Sequence, residues 1–481
     1  MPVEKSFPDK YKDFGKWYNE IVERAKLVDL RYGVKGFVVY RPTAMHIIER
    51  IYEVYERELQ ATGHEPCLFP VVVPKSAFEK EAAHIKGFGG EVFWVTKAGE
   101  RELEEPILLR PTSETAMYPL YSLWIRSYKD LPLKLYQSCA VYRYETKATK
   151  ALLRGREFLW IEAHDVQRTE KEALRQVEED VEIAEKVLYQ ELGLPFLHLQ
   201  REDFDKFPGA VATYAFEVLF PDKRVVQCGT THYLGTNFSK PFNIKYLDEK
   251  GNSRYAYQTC YGPGISRIAA AVISIHGDDY GLVLPFESTP IQVVIVPIPM
   301  KKTTEKILAK CRELKEKLEK VGLRTKLDDT EARPGEKFYK WELMGVPVRL
   351  EIGPKDLAKG VVTVFRRDTR ERMRIKETNV INHVLDLRGK ILEVLRERAE
   401  KFLKENLFKA KTKNELITLA EKGGIIQVNY CGNKDCADYI KTETGGFEVR
   451  GKRVDIKERP DGPCVWCGGK AKRVVYIAKA Y

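Results

Sequence analysis

The chain has 481 residues, 43% hydrophobic and 31% charged, which is enough apolar material for a large core and enough length for two to four domains. Its formal net charge of +11 suits a partner with a phosphate backbone without demanding one. No run of about 18 apolar residues occurs, and the opening Met1-Pro2-Val3-Glu4-Lys5 lacks the layout of a secretion signal, so membrane-spanning helices are excluded and a cytoplasmic location is expected.

Residues 43–62 place apolar side chains at helical spacing with charges opposite, and Gly63 supplies the stop. The following PCLFPVVVP, residues 66–74, reads as a buried strand bracketed by prolines. Further strands are predicted near 92–95, 106–110, 134–143, 157–166, 214–220, 224–228 and 254–260, with helices over 114–129, 170–191 and 265–276. Strands clustered with few βαβ alternations argue for an antiparallel α+β domain. Beyond a proline-bounded linker at 284–290 the texture changes. A strand at 292–298, a helix at 303–320, a strand at 323–327, a helix at 335–344, strands at 346–352, 361–367 and 372–376, and a final helix make a small α/β domain. A charged helical segment, 383–422, leads into a cysteine-bearing tail, and the expected domains are 1–285, 290–400 and 401–481.

Four places carry candidate chemistry. The segment from Ala140 to Asp165 sets Arg143, Glu145, Arg154, Arg156, Glu157, Glu162 and His164 on what should be two adjacent strands, most of them at alternate positions that share a face. That is either a solvated, salt-bridged hairpin or the wall of a polar site, with Lys147-Ala148-Thr149-Lys150 as a loop able to close over phosphates. Around it, Thr112 and Glu114 open a helix, where Glu114 either complements the helix dipole or receives a substrate ammonium group. Tyr261-Gly262-Pro263-Gly264-Ile265-Ser266-Arg267 is a glycine turn that puts Arg267 at the first turn of an alanine-rich helix. Phe207 offers an apolar wall, and Gln227, Thr230 and His232 a polar row. In the second domain Arg333, Lys337, Glu351, Lys355 and Arg366 gather at predicted strand ends and loops, as a solvated face or a recognition surface. In the tail, Cys431-x4-Cys436 and Cys464-x2-Cys467 form a four-thiolate set without histidine, the pattern of a closed structural zinc site.

Taken in order, these segments resemble the three motifs of class II aminoacyl-tRNA synthetases. The resemblance rests on a helix and strand with proline near Pro70 or Pro74, Arg143-x-Glu145 followed by Phe158, and the glycine turn with Arg267. PTSET, LLRGREFLWIEAH, GTTHYLGTNFSK and ARPGEKFYKWELMGVPVRLEIGPKDL are similar to prolyl-tRNA synthetases of the archaeal and eukaryotic-like type, over essentially the whole chain. The resemblance implies an α+β fold: a six-stranded antiparallel catalytic sheet with flanking strands, an α/β anticodon-binding domain and a C-terminal zinc-binding α/β domain. It implies a two-step, ATP-dependent ligation of L-proline to tRNA(Pro) with Mg²⁺, in a homodimer. By position, Arg143 contacts the α-phosphate and prolyl carboxylate, Glu145 and Phe158 the adenine, and Arg154 and Arg267 the outer phosphates. Gln227, Thr230 and Ser266 line the nucleotide, while Thr112, Glu114, Trp160, His164, Phe207 and His232 surround proline. Arg333, Lys337, Glu351 and Lys355, with stacking on Phe338, read the anticodon, and Tyr481 folds back toward the catalytic pocket.

Two rival readings are a non-catalytic tRNA-binding paralogue, against which Arg143, Glu145 and Arg267 argue, and a threonyl or seryl relative. Threonyl enzymes place a Cys/His/His zinc at the substrate amine, where this chain offers a Thr-Glu pair. Between His164 and Tyr261 the predicted helix and strands leave no room for a large hydrolytic insertion. Selection against smaller amino acids then rests on the pocket alone, which leaves misactivation of cysteine and alanine open.

Overall fold

The computed structural model describes residues 7–80, 91–300 and 303–481. Pro42 pre-sets the first turn of helix Pro42–Ala61, which buries Ile47, Ile48, Ile51, Tyr55 and Leu59 at helical spacing before Gly63, at φ +84°, turns the chain. That helix packs against helix Ile265–His276, whose Ala269, Ala270 and Ala271 are small enough to let both lie close on the back of a sheet.

Across that sheet the order is Glu65–Pro66, Leu133–Tyr142, Glu157–Gln167, Tyr257–Pro263, Val225–Gly235, Ala212–Leu219 and Leu197–Gln200. The first pairing is parallel and the five that follow are antiparallel. Alternation along Glu157–Gln167 sends Phe158, Trp160, Glu162 and His164 to the front, while Ile161 and Ala163 join the helix-packed core behind. Register then places Cys260 opposite His164, and His232 opposite Cys260, on the same front face.

The sheet does not end at Leu197–Gln200. Lys452 pairs with Gln200 and Arg453 with Leu199, so strand Phe447–Arg453 and its neighbours Arg473–Lys479, Ile425–Tyr430 and Leu407–Ala410 complete a continuous sheet of 11 strands. A separate sheet of five strands, Thr325–Leu327, Val293–Pro297, Val348–Ile352, Val361–Arg366 and Arg372–Lys376, carries helices Thr304–Lys320, Pro334–Leu343 and Val380–Glu405. It follows the predicted order with ends shifted by a residue or two. Among the described residues no helix is long and apolar enough to cross a membrane.

Several expectations are corrected. Residues 66–74 are not one buried strand: Glu65–Pro66 and Val72–Pro74 belong to different sheets, and Leu68 between them is 80% exposed. Pro66, Pro70 and Pro74 each remove a ladder donor, which breaks the segment. The helix over 114–129 stops at Trp124; Ser127 and Asp130 then form a capping box on a short 3-10 turn. The helix over 170–191 is α-helical to Ala184 and π-helical over Glu185–Glu191. Strand 224–228 continues to Gly235, and 254–260 divides into Ser253–Tyr255 and Tyr257–Pro263. The charged segment 383–422 is interrupted: helix Val380–Glu405 ends at Asn406, strand Leu407–Ala410 pairs in parallel with Ile425–Tyr430, and Thr412 caps a new helix, Lys413–Lys422.

Candidate active site

A cleft of about 430 Å³ opens on the front of the central sheet. Arg143 leaves the end of strand Leu133–Tyr142, with Nε donating to the Pro111 carbonyl at 3.0 Å and the guanidinium 5.3 and 5.2 Å from the Phe158 and Trp160 ring centroids. The backbone bond and the two rings hold a half-buried, permanently charged fork over the cleft. Arg267 is fixed by bonds from Nη1 to the Gln227 carbonyl at 2.9 Å and from Nε to the Leu153 carbonyl at 3.3 Å. Arg154 lies 3.6 Å from Glu145 at the mouth. Trp160 is seated against a glycine that leaves it room: a Cβ on Gly262 would lie 2.4 Å from the indole.

Beneath this cationic rim the floor is acidic. Glu162 accepts from Ser113 N at 3.0 Å, from Gln137 Nε2 at 3.2 Å and from Ser113 Oγ. Burial works against its charge, but the His164 and Ser113 side chains hold its proton affinity below the ordinary carboxylate value. Thr112 Oγ1 lies 2.5 Å from Glu114 Oε2 and 3.0 Å from Glu162 Oε1, and its single hydroxyl proton serves one of the two carboxylates at a time. His164 is fully buried, with Nδ1 3.2 Å from Tyr118 Oη and Nε2 3.9 Å from Glu162; burial disfavours its cation, yet Glu162 and Glu114 raise its pKa above the ordinary value. His232 behaves oppositely. Burial takes it down to about 4, so it is a neutral ring, 4.6 Å from Phe207 and bonded through Nδ1 to Thr213 Oγ1 at 3.0 Å. A carboxylate-rich floor under an arginine rim suits a ligand with an ammonium group at one end and anions at the other.

Of the residues singled out by sequence, Arg143, Glu145, Arg154, Phe158, Trp160, Phe207, Gln227, Thr230, His232, Ser266 and Arg267 line this one cleft. Thr112, Glu114 and His164 are buried in its floor. A second recess of about 990 Å³ shares Leu152, Arg154, Gly155 and Phe158 with it and runs under Lys150 and Thr149. The sequence puts Glu162 on the charged face with His164 but gives it no role in binding, although its alternation with Trp160 and His164 places it in the site. It also missed Arg201 and Arg450, which line the cleft around buried Glu217. No signal in the sequence joins Arg450 to a strand so far upstream.

In the second domain Arg333 and Lys355 are exposed, whereas Lys337 is buried with Nζ on the Asp328 carbonyl at 2.8 Å, and Glu351 is buried between Arg349 at 3.0 Å and Arg372 at 2.9 Å. In the tail the sulfurs of Cys431, Cys436, Cys464 and Cys467 all lie within 4.8 Å of one another. Four thiols so close match the edges of a tetrahedron with zinc–sulfur bonds of about 2.3 Å. Tyr481 lies outside the cleft lining. Its ring is 5.7 Å from that of Phe220 and 5.4 Å from Lys150 Nζ, and its hydroxyl donates to Asp222 at 2.5 Å.

Three family models match the chain: "tRNA synthetase class II core domain (G, H, P, S and T)" over residues 93–276, "Anticodon binding domain" over 292–387 and "Prolyl-tRNA synthetase, C-terminal" over 414–481. The proline–tRNA ligase of Thermofilum pendens is 51% identical over 474 residues, covering 98% of both chains. That of Methanopyrus kandleri is 43% identical, covering 98% of this chain and 96% of its own. This chain belongs to the prolyl-tRNA synthetase family. Its structure is also similar to that of Giardia lamblia prolyl-tRNA synthetase in complex with prolyl-adenylate, with a TM-score of 0.95 at 38% identity, covering 99% of this chain and 100% of that one. It is therefore an enzyme of class II fold, in which the arginine rim and acidic floor sit on the front of the antiparallel sheet.

The Gly262–Trp160 contact yields a direct expectation. Gly262→Ala should push the indole into the cleft and raise the KM for amino acid by about tenfold or more, with a much smaller rise in the KM for ATP. Unchanged amino-acid KM would show that Trp160 does not border that subsite.

Proposed function

We propose that this chain ligates L-proline to tRNA(Pro) in two steps, using ATP. The observation that carries the reading is Arg143, held between an ammonium-accepting floor and a rim of further cations. Proline sits with its ammonium at Thr112 and Glu114 near His164, and its ring among Trp160, Phe207 and His232. Its carboxylate attacks the α-phosphorus of ATP and pyrophosphate leaves, a step that drives two anions together. Arg143 spans both of them, while Arg154 and Arg267 take charge developing on the leaving phosphates. Glu145 and Phe158 hold adenine, and Gln227, Thr230 and Ser266 line the nucleotide. Mg²⁺ accompanies ATP and neutralises part of the phosphate charge. In the second step a terminal ribose hydroxyl of the tRNA attacks the acyl carbon of prolyl-adenylate and AMP leaves. No side chain acts as nucleophile.

The same reading divides the chain at 1–285, 290–400 and 401–481 and gives tRNA anticodon contact to the second domain through Arg333 and Lys355, with Lys337 and Glu351 buried inside that domain rather than offered to the tRNA. Exposed Arg333 and Lys355 support it, and half-buried Phe338 of the same domain is the aromatic for stacking. It also places a homodimer contact near the 66–74 segment in a cytoplasmic protein, where Leu68, Val71, Leu123 and Trp124 leave apolar surface exposed. Cys431, Cys436, Cys464 and Cys467 hold a structural zinc.

Proline-dependent ATP–pyrophosphate exchange tests the activity. Arg143→Lys keeps the charge and loses the fork, so exchange should fall about 10²-fold; a rate within a few-fold of wild type would remove Arg143 from the mechanism. Cys464→Ser should release zinc, read by metal analysis, and lower Tm, whereas wild-type protein with under about half an equivalent of zinc would refute the structural site. A pocket selecting by shape alone gains only about 1–3 kcal/mol per methylene, so cysteine, whose polarizable sulfur fills much of the ring volume, should be activated better than alanine. Cysteinyl-tRNA(Pro) should then persist in the presence of this chain, and its rapid hydrolysis would rule out selection by the pocket alone.

A further inference from the structure

Glu217 and Gln227 face each other across strands Ala212–Leu219 and Val225–Gly235. Glu217 is only 1% exposed, and a lone buried carboxylate would be costly. Two arginines meet it. Arg450, from strand Phe447–Arg453, donates to Oε1 from Nη2 at 2.6 Å and from Nε at 3.2 Å, and Arg201 Nη2 donates to the same oxygen. Among the described residues Glu217 Oε2 has no hydrogen-bond partner. Arg201 Nη2 also donates to Gln227 Oε1 at 2.7 Å. Because arginine has no acceptor, only the oxygen of the Gln227 carboxamide can face it, so the amide N–H groups are turned away from Arg201. The Gln227 carbonyl is held independently by Arg267.

We propose that Arg450, carried by the C-terminal part of the chain, is a positioning residue for the nucleotide: it shares Glu217 Oε1 with Arg201, so that Arg201 Nη2 is not drawn wholly onto the carboxylate and keeps its bond to the Gln227 carboxamide. Without Arg450, the buried carboxylate draws Arg201 into a two-oxygen pair through the unused Oε2, and Gln227 loses its donor. The inference deepens the reading given above, since it takes Gln227 as a nucleotide contact. It explains why a residue remote in sequence lines the cleft, and why the central sheet extends into the tail at the strand that carries it.

The test is ATP–pyrophosphate exchange with separate KM values for ATP and proline in wild type, Arg450→Met, Arg450→Lys, Gln227→Leu, Glu448→Gln and the Arg450→Met/Gln227→Leu pair. Arg450→Met should raise the KM for ATP about tenfold, the scale of one oriented hydrogen bond, while leaving the proline KM within about twofold. Arg450→Lys, which keeps charge without the paired donors, should fall between; it carries the comparison if Arg450→Met does not fold. The double variant should be no worse than Gln227→Leu alone. Glu448→Gln, which removes the charge of an Arg450 partner at 3.0 Å but stands outside the relay, should stay near wild type. Unchanged ATP KM in both Arg450 variants, additive losses in the double variant, or an equal rise in Glu448→Gln would overturn the inference. Wild-type protein with no proline-dependent exchange would instead overturn the proposed function.

Discussion

Glu162 keeps a charge where water cannot reach it, and it does so because neighbouring elements point protons at it. Ser113 donates from both backbone and side chain at the start of helix Glu114–Trp124, and Gln137 donates from the adjacent strand. The other end of the Gln137 amide accepts from Phe69 N at 3.0 Å and lies 3.4 Å from Arg110 Nη1. One carboxylate thus ties together a helix start, two strands and the proline-broken segment before them. A buried charge satisfied this fully is stable only in one arrangement, and it fixes the height of the floor against which Thr112, Glu114 and His164 are set.

The vertical ordering of charge follows from that anchor. Carboxylates lie deep, where backbone and hydroxyl donors replace water, and guanidinium groups lie above them, stacked on Phe158 and Trp160 or bonded to carbonyls. The two histidines show how fine the gradation is: His164 between carboxylates is pushed toward its cation, while His232 against Phe207 is held neutral. A dipolar ligand is oriented by such a gradient before any specific contact is made.

Much of this site was legible in the sequence because the front face of one strand is written in alternate residues from Phe158 to His164. The glycine turn was legible too, since only glycine at 262 leaves space for Trp160. Misreadings arose where one local property stood for two structures. Apolar residues at 66–74 suggested burial, but prolines break the ladder and leave Leu68 outside. Charge density over 383–422 suggested unbroken helix and hid the four-residue strand Leu407–Ala410. Lys337 and Glu351 looked like surface groups, although each is satisfied inside its domain. Contacts made across long sequence separations, such as Arg450 with Glu217, leave no periodicity to read.

The shared sheet has a consequence for how the chain can be cut. Strand Leu197–Gln200 is covered on one side by Ala212–Leu219 and on the other by only two paired residues of Phe447–Arg453. A chain shortened before strand Phe447–Arg453 would expose an unpaired edge beside an apolar group that includes Leu197, Leu199, Leu219 and Val225, the kind of surface that recruits strands from other molecules. The last residues close the same seam, with Tyr481 N bonded to the Val225 carbonyl at 3.1 Å. The tail is therefore an edge guard for the core as well as a module in its own right, and the two should melt together as one cooperative unit.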